Sequence, residues 1–205
     1  DNGMLDLRTL NEELIQRDLD KHVEKQLVTS LGDLPRTRAF FGRETELENI
    51  CALLDARSSC LLVPGIAGIG KTALAGKVIE QYTHRRNLLY HRCQDWEGSR
   101  AFLEACAEWL STIGDDDLSD YIHATAVPQA SVAVNLIVGA LEEVPALIII
   151  DDLHKVNDEV LFAIIRGLSQ RMADMQECGL VMFSRSFRAV VPLKDADGNI
   201  SALVL

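Results

Sequence analysis

The sequence predicts an α/β fold, a parallel sheet covered by helices on both faces. Three observations predict it. Short, wholly apolar runs alternate with amphipathic stretches along most of the chain, the pattern of strands buried between helical layers. One such run, Cys60-Leu61-Leu62-Val63, leads into the glycine-rich loop Gly65-Ile66-Ala67-Gly68-Ile69-Gly70-Lys71-Thr72. Another, Leu147-Ile148-Ile149-Ile150, ends in two carboxylates, Asp151-Asp152.

Taken in order, Leu7, Leu10 and Leu14, then Ile15, Leu19, Val23 and Leu27, predict an opening helix that Gly32 and Pro35 end. Residues 1–35 are read as this helix and a linker, and residues 36–205 as the core. Leu47, Ile50 and Leu54 place a second helix over Glu44 to about Asp55, and Arg57-Ser58-Ser59 breaks it. Cys60–Val63 is the first core strand, and a helix starts near Lys71. Asn87–His91 reads as a strand, and Phe102, Cys106, Trp109, Leu110 and Ile113 mark a helix. Asp115-Asp116-Asp117 reads as a solvated loop, and Gln129–Glu143 as another helix. Ala146–Ile150 is a strand, Asn157 to about Met172 a helix, and Leu180–Phe183 a strand ending in Ser184-Arg185. Asp197-Gly198-Asn199 signals a turn before a last strand, Ile200–Leu205.

The loop fits the pattern G-x-x-x-x-G-K-[ST]. Its glycines let backbone N–H groups wrap phosphates without Cβ clashes, and the helix N-terminus behind it favours negative charge. In that reading Lys71 reaches the β- and γ-phosphates of a nucleoside triphosphate, and the Thr72 hydroxyl ligates Mg²⁺. The backbone of Gly65, Ile66, Ala67, Gly68, Ile69, Gly70, Lys71, Thr72 and Ala73 forms the cradle. ATP or ADP with Mg²⁺ is the expected ligand. No N-K-x-D guanine-reading sequence occurs, which disfavours a GTPase. Acids at a strand end sit where ligands bind in open α/β sheets. Asp151 is the candidate to hold Mg²⁺ through water, and Asp152 to orient or deprotonate the attacking water. The blander alternative is that both acids only cap the next helix. Arg185 points at the γ-phosphate if its strand lies between the other two; otherwise it is a surface arginine. His154 follows the acid pair, and its choices are a phosphate neighbour or a surface residue at a helix start. His22, His84, His91 and His123 show no partner in the sequence, and Trp96 and Trp109 read as core or rim.

The bulk numbers bound the function. The chain has 205 residues, 48% hydrophobic and 25% charged, enough to bury a full core. No apolar run reaches the roughly 20 residues of a membrane span, and no signal segment opens the chain. The five cysteines, Cys51, Cys60, Cys93, Cys106 and Cys178, are scattered and never spaced as a metal or redox pair. A reducing, cytoplasmic setting is expected. The net charge of −11 argues against nucleic-acid contact by this segment. Asp1 in place of Met reads as a fragment boundary.

Four segments together resemble a known class. Phe41-Gly42-Arg43-Glu44-Thr45-Glu46 is similar to the hhGRExE motif of STAND ATPases, the class that includes NB-ARC proteins and many bacterial and archaeal regulators. The P-loop, the Asp151-Asp152 Walker B pair and Phe183-Ser184-Arg185, similar to the strand-end sensor, follow in family order. The resemblance spans about Phe40 to Ser186 and implies an AAA-like P-loop NTPase sheet of order 5-1-4-3-2. It implies that Arg43 contributes to nucleotide contacts and that backbone around Phe41 and Gly42 holds the base. It implies a slow ATPase in the full-length protein, acting as a nucleotide-dependent signalling switch on other domains of its parent, in places within a transcription regulator, with nucleotide-dependent homo-oligomers. In the family a helical lid and a winged helix follow; the chain is read as stopping before them. An AAA+ remodelling or loader ATPase is the alternative, with Arg171, Arg185 and Arg188 as finger candidates, and a P-loop phosphotransferase is a further one.

Overall fold

The structure, a computed structural model, describes residues 27–35, 40–56, 60–172, 174–175, 177–185 and 200–202. The apolar runs form the strands that their composition predicts, because a strand buried on both faces needs no alternation. They are β2 (Cys60–Pro64), β3 (Asn87–Arg92), β4 (Ala146–Asp151), β5 (Cys178–Ser184) and β6 (Ile200–Ala202), preceded by a two-residue β1 (Thr29–Ser30). All pair in parallel, in the order β1-β3-β4-β5-β2-β6. Counted from the P-loop strand, the last five have the implied order 5-1-4-3-2, with β5 between β2 and β4.

Among the described residues, two helices cover one face of the sheet and four the other. On the first, α1 (Glu44–Asp55) and α2 (Lys71–Tyr82) bury Ile50, Leu54, Leu74 and Val78 against Leu61, Val63, Leu147, Ile149 and Phe183. On the second lie α3 (Ser99–Ile113), α4 (Asp117–Ala124), α5 (Ala130–Ala140) and α6 (Glu159–Met172). They bury Phe102, Trp109, Ile137 and Ile165 against Cys60, Leu62, Ile148, Leu180 and Met182. Successive strand residues thus serve opposite cores, as a period of two requires.

Two expectations are corrected. The opening helix falls on residues outside the described ones up to 26, but the stretch before Gly32 is not helical: Thr29–Ser30 is extended. It pairs with β3 as the edge strand of the sheet, and Asn87 adds a side-chain partner. The Val28 amide donates to Asn87 Oδ1 at 2.8 Å, and the Leu88 amide donates to the Val28 carbonyl at 2.8 Å. The acidic run Asp115–Asp117 is not all loop, because Asp117 opens α4. Gly114, at φ +102°, ends α3 with its amide on the Leu110 and Ser111 carbonyls, and the chain turns into a second short helix that buries Leu118 and Ile122. The Asp197–Asn199 turn and the end of the last strand lie outside the described residues.

Asp158 ties two helix starts together. Its Oδ1 accepts from the Val160 and Leu161 amides of α6 at 2.8 and 3.0 Å, and its Oδ2 accepts from the Ser99 amide of α3 at 2.6 Å. A Cβ on the neighbouring Gly98 would stand 2.7 Å from that Oδ2. Burial pushes the Asp158 carboxyl up, but the backbone hydrogen bonds outweigh it and the group lies below its ordinary value. Its contribution is therefore full above the unfolded carboxylate pKa, about 4, and is lost as pH falls through the lower folded value. Asp158→Ala is expected to destabilise the fold by about 1–2 kcal/mol, the range of a lost helix cap. Urea melts at neutral pH check it; an unchanged midpoint would show that the cap is dispensable.

Candidate functional site

Parallel strands bring their C-terminal ends to one edge. There β2 ends at Pro64, β4 at Asp151, β5 at Ser184 and β3 at Arg92. The register sets Pro64 beside Ser184 and Arg92 beside Asp151, and the Gly65 amide donates to the Ser184 carbonyl at 3.0 Å. The loop, the acid pair and the arginine therefore share one edge although up to 120 residues separate them along the chain, Gly65 to Arg185 (185 − 65).

The loop turns on two glycines in the left-handed region, Gly68 at φ +75° and Gly70 at φ +94°, a conformation that costs side-chain-bearing residues energy. Ile66, Ala67 and Gly68 are exposed and Gly65 is buried, with α2 starting at Lys71. Lys71 is buried. Its Nζ donates to the Gly65 carbonyl at 2.7 Å and the Ile66 carbonyl at 2.9 Å. Burial pushes its pKa down; Asp151 and Asp152 oppose this, and Arg185 and Arg43 add to it.

Asp151 is fully buried and accepts three hydrogen bonds. Thr72 Oγ1 donates to Oδ2 at 2.6 Å, the Tyr90 hydroxyl to Oδ2 at 3.0 Å, and the Asp152 amide to Oδ1 at 2.8 Å. A buried carboxylate without such donors would be costly. Burial, reinforced by Asp151, pushes the Tyr90 hydroxyl far above its usual value, so it stays a donor. Asp152 has φ +55°, which turns the chain into a 3₁₀ turn at Leu153–Lys155. Its Oδ2 meets Arg92 Nε and Nη2 at 3.0 Å each and Lys155 Nζ at 2.9 Å. Burial raises the Asp152 pKa, but Lys155 and Arg92 outweigh that and hold it below the ordinary value.

Arg185 is exposed at the end of β5, close enough for its charge to act on Lys71 and His154. Arg43 lies beside the loop, with its Nε 3.8 Å from where a Cβ on Gly70 would sit, and its Nη1 donates to Glu46 Oε1 at 3.0 Å. Gly42 is left-handed at φ +73°, and Phe41 is exposed. Arg171 binds Asn135 Oδ1 at 3.1 Å at the far end of α6, away from the strand ends. Arg188 lies outside the described residues. Trp109 is core and Trp96 is exposed.

Sequence reasoning missed Tyr90, Arg92 and Lys155. Tyr90 and Arg92 stand two apart in one strand and so share a face. That polar pair at the end of an apolar run was the available signal, but only strand pairing says which acids they meet.

No helix of the described residues is long and apolar enough to cross a membrane. All five cysteines are free, and only Cys51 is not buried. Comparison with curated proteins gives no match. Among solved structures, the fold is similar to Cdc6p from Pyrobaculum aerophilum, at 18% identity over 84% of this chain and 47% of that one, with a TM-score of 0.55. It is similar as well to the Aeropyrum pernix Orc1 protein in complex with DNA, at 19% identity over 85% of this chain and 47% of that one, with a TM-score of 0.55. The chain thus spans about half the length of these proteins. Residues 39–182, most of the chain, match the AAA ATPase domain, and the chain belongs to that family.

Proposed function

We propose that the chain binds ATP with Mg²⁺ and serves as a nucleotide-dependent regulatory switch. The observation that carries this is the junction of the loop with the acid strand: Thr72 Oγ1 and Asp151 Oδ2 lie 2.6 Å apart beside the buried Lys71. The Thr72 hydroxyl is a hard oxygen donor that Mg²⁺ takes directly, and the Asp151 carboxylate would hold the metal through water, with phosphate oxygens completing its shell. Bound there, the metal would neutralise charge on the β- and γ-phosphates. Lys71 would exchange its carbonyl partners for phosphate oxygens, and the amides from Gly65 to Ala73 would wrap them. Arg43 lies beside Gly70 of the loop, and with the backbone of Phe41 and Gly42 it would hold the base, as the STAND resemblance implies. Arg185 would meet the γ-phosphate, and Asp152 would support turnover from its place beside Arg92 and Lys155. Oligomerisation with nucleotide and signalling to other domains of the parent protein belong to the same reading.

An AAA+ remodelling or loader ATPase is the second reading, favoured by the family itself and by the Cdc6p and Orc1 likeness. A loader completes its site with a residue from a neighbouring subunit, so its specific ATPase rate rises with protein concentration; a switch that turns over within one subunit does not. The Orc1 structure contains DNA. The net charge of −11 is a sum over the whole surface and does not decide whether one patch of this chain meets DNA. The phosphotransferase reading gains nothing from the family match.

A carboxylate that holds a metal through water is an outer partner, and such partners are worth about 10–100-fold in affinity. Asp151→Asn is expected to reduce the Mg²⁺-dependent gain in ATP affinity by about that factor. Titration calorimetry with Mg²⁺ and with a chelator reads it. A variant that keeps the full Mg²⁺ gain would remove Asp151 from the metal site.

A further inference from the structure

Among the described residues, the three donors that hold Asp151 come from different parts of the fold. The Asp152 amide, from the end of the same strand, takes Oδ1. On Oδ2 the Thr72 hydroxyl arrives from the first turn of α2, and the Tyr90 hydroxyl from β3. Register explains the reach of Tyr90. It pairs with Ile149, and Asp151 lies two residues further along β4, on the same face of the sheet. The residue directly opposite Asp151 is Arg92, whose guanidinium goes to Asp152 instead. A long side chain spans such a diagonal, and the Tyr90 hydroxyl closes it at 3.0 Å. Tyr90 is 2% exposed and belongs to the core between the sheet and the helices α1 and α2.

A metal would treat these donors differently. The Thr72 hydroxyl is the oxygen that Mg²⁺ takes in the reading above, so acid and metal share it. The Tyr90 hydroxyl is the donor on Oδ2 that the metal does not share. A carboxylate offers about four acceptor positions. Thr72 and Tyr90 fill the two on Oδ2, and the Asp152 amide fills one on Oδ1. What remains suffices for one metal-bound water and not for a cation seated across both oxygens. Mg²⁺ keeps several of its waters and demands a near-octahedral shell, whereas Ca²⁺ takes a larger, looser shell and accepts a carboxylate through both oxygens.

We propose that Tyr90 is a positioning residue that makes the site select Mg²⁺ over Ca²⁺, by holding Asp151 in an orientation that serves a metal-bound water and denies two-oxygen coordination. This deepens the ATP and Mg²⁺ reading and rests on it. Without the hydroxyl, Thr72 alone holds Oδ2, and the carboxylate can turn. Turning misplaces the partner of the Mg²⁺-bound water and frees an oxygen position for direct contact with Ca²⁺.

The test is Tyr90→Phe, which removes the hydroxyl and keeps the ring. The full-length wild type and variant are titrated with ATP in a calorimeter, with a chelator, with Mg²⁺ alone and with Ca²⁺ alone. Their melting temperatures are taken without nucleotide. The variant is expected to melt within a few degrees of the wild type and to bind ATP equally well in chelator. Its gain in ATP affinity from Mg²⁺ should fall about tenfold, the lower end of what an outer partner of a metal supplies. Its gain from Ca²⁺ should stay the same or rise. A role in packing alone predicts a lower melting temperature and equal losses in all three titrations. That result overturns the inference, as does an unchanged ratio of the two gains, or a wild type that gains as much from Ca²⁺ as from Mg²⁺. A Phe variant that does not fold overturns it too, since the hydroxyl would then serve the fold. All of these leave ATP binding by the wild type in place. A wild type that binds no ATP under any condition removes the nucleotide reading, and this inference with it.

Discussion

Lys71→Ala is expected to abolish measurable ATP binding while the fold survives. Lys71 is the first residue of α2, is 7% exposed, and among the described residues carries the one ammonium that bonds within the loop. Its present partners are the carbonyls of Gly65 and Ile66, which are neutral acceptors. A triphosphate offers charged acceptors in the same space. Hydrogen bonds to charged groups contribute about 1.5–3 kcal/mol each, so two of them amount to about two to four powers of ten in Kd. The burial that pushes the Lys71 pKa down works in the same direction, because phosphate charge relieves a desolvated ammonium. Removing the side chain also frees two loop carbonyls, so Lys71→Met, which keeps the apolar stem, is the control for loop shape. Both variants should melt within a few degrees of the wild type and give no calorimetric signal at ATP concentrations that saturate the wild type. A folded variant with unchanged affinity would show that the loop is a glycine-rich turn and not a phosphate site.

How much of this site the sequence made legible depends on the range of the interaction behind each residue. The loop was readable because its signal is local: a strand, glycines at fixed offsets, then Lys71 and Thr72 opening a helix. The acid pair was readable for the same reason. The place of β5 between β2 and β4 came from resemblance, since no periodicity within a strand states its neighbours. The partners of the acids were not readable. Tyr90 meets Asp151 across 61 residues of sequence and Arg92 meets Asp152 across 60, and such pairing leaves no trace in either segment alone. The edge strand at Thr29–Ser30 was missed because two residues carry no pattern, and its bonds depend on Asn87 far along the chain. The helix at Asp117 was missed because one turn of apolar spacing, Leu118 to Ile122, sits behind three acids. Composition does not decide one point: a charge of −11 is summed over the whole surface, whereas contact with DNA depends on the charge of one patch.

Arg185→Ala is expected to lower the preference for ATP over ADP about ten- to a hundredfold. The argument starts from register. Pro64 pairs with Ser184, and the Gly65 amide bonds the Ser184 carbonyl at 3.0 Å, so the residue after Ser184 leaves the sheet beside the start of the loop. Arg185 is exposed there, and its charge lowers the pKa of both Lys71 and His154. Lys71 and Arg185 are like charges close enough to act on one another. Such a pair is relieved by an anion, and a terminal phosphate is the anion the loop would present. An arginine that meets only the third phosphate loses its partner when ADP is bound, so it contributes to ATP affinity alone. One charge-assisted contact of about 1.5–3 kcal/mol gives the stated ratio. Arg185→Lys should recover part of it, because an ammonium supplies charge but not the planar fork of donors. Paired titrations with ATP and ADP on the three proteins decide the matter. Equal losses for both nucleotides would move Arg185 to the α- and β-phosphates, and an unchanged ratio with unchanged affinities would leave it a surface arginine.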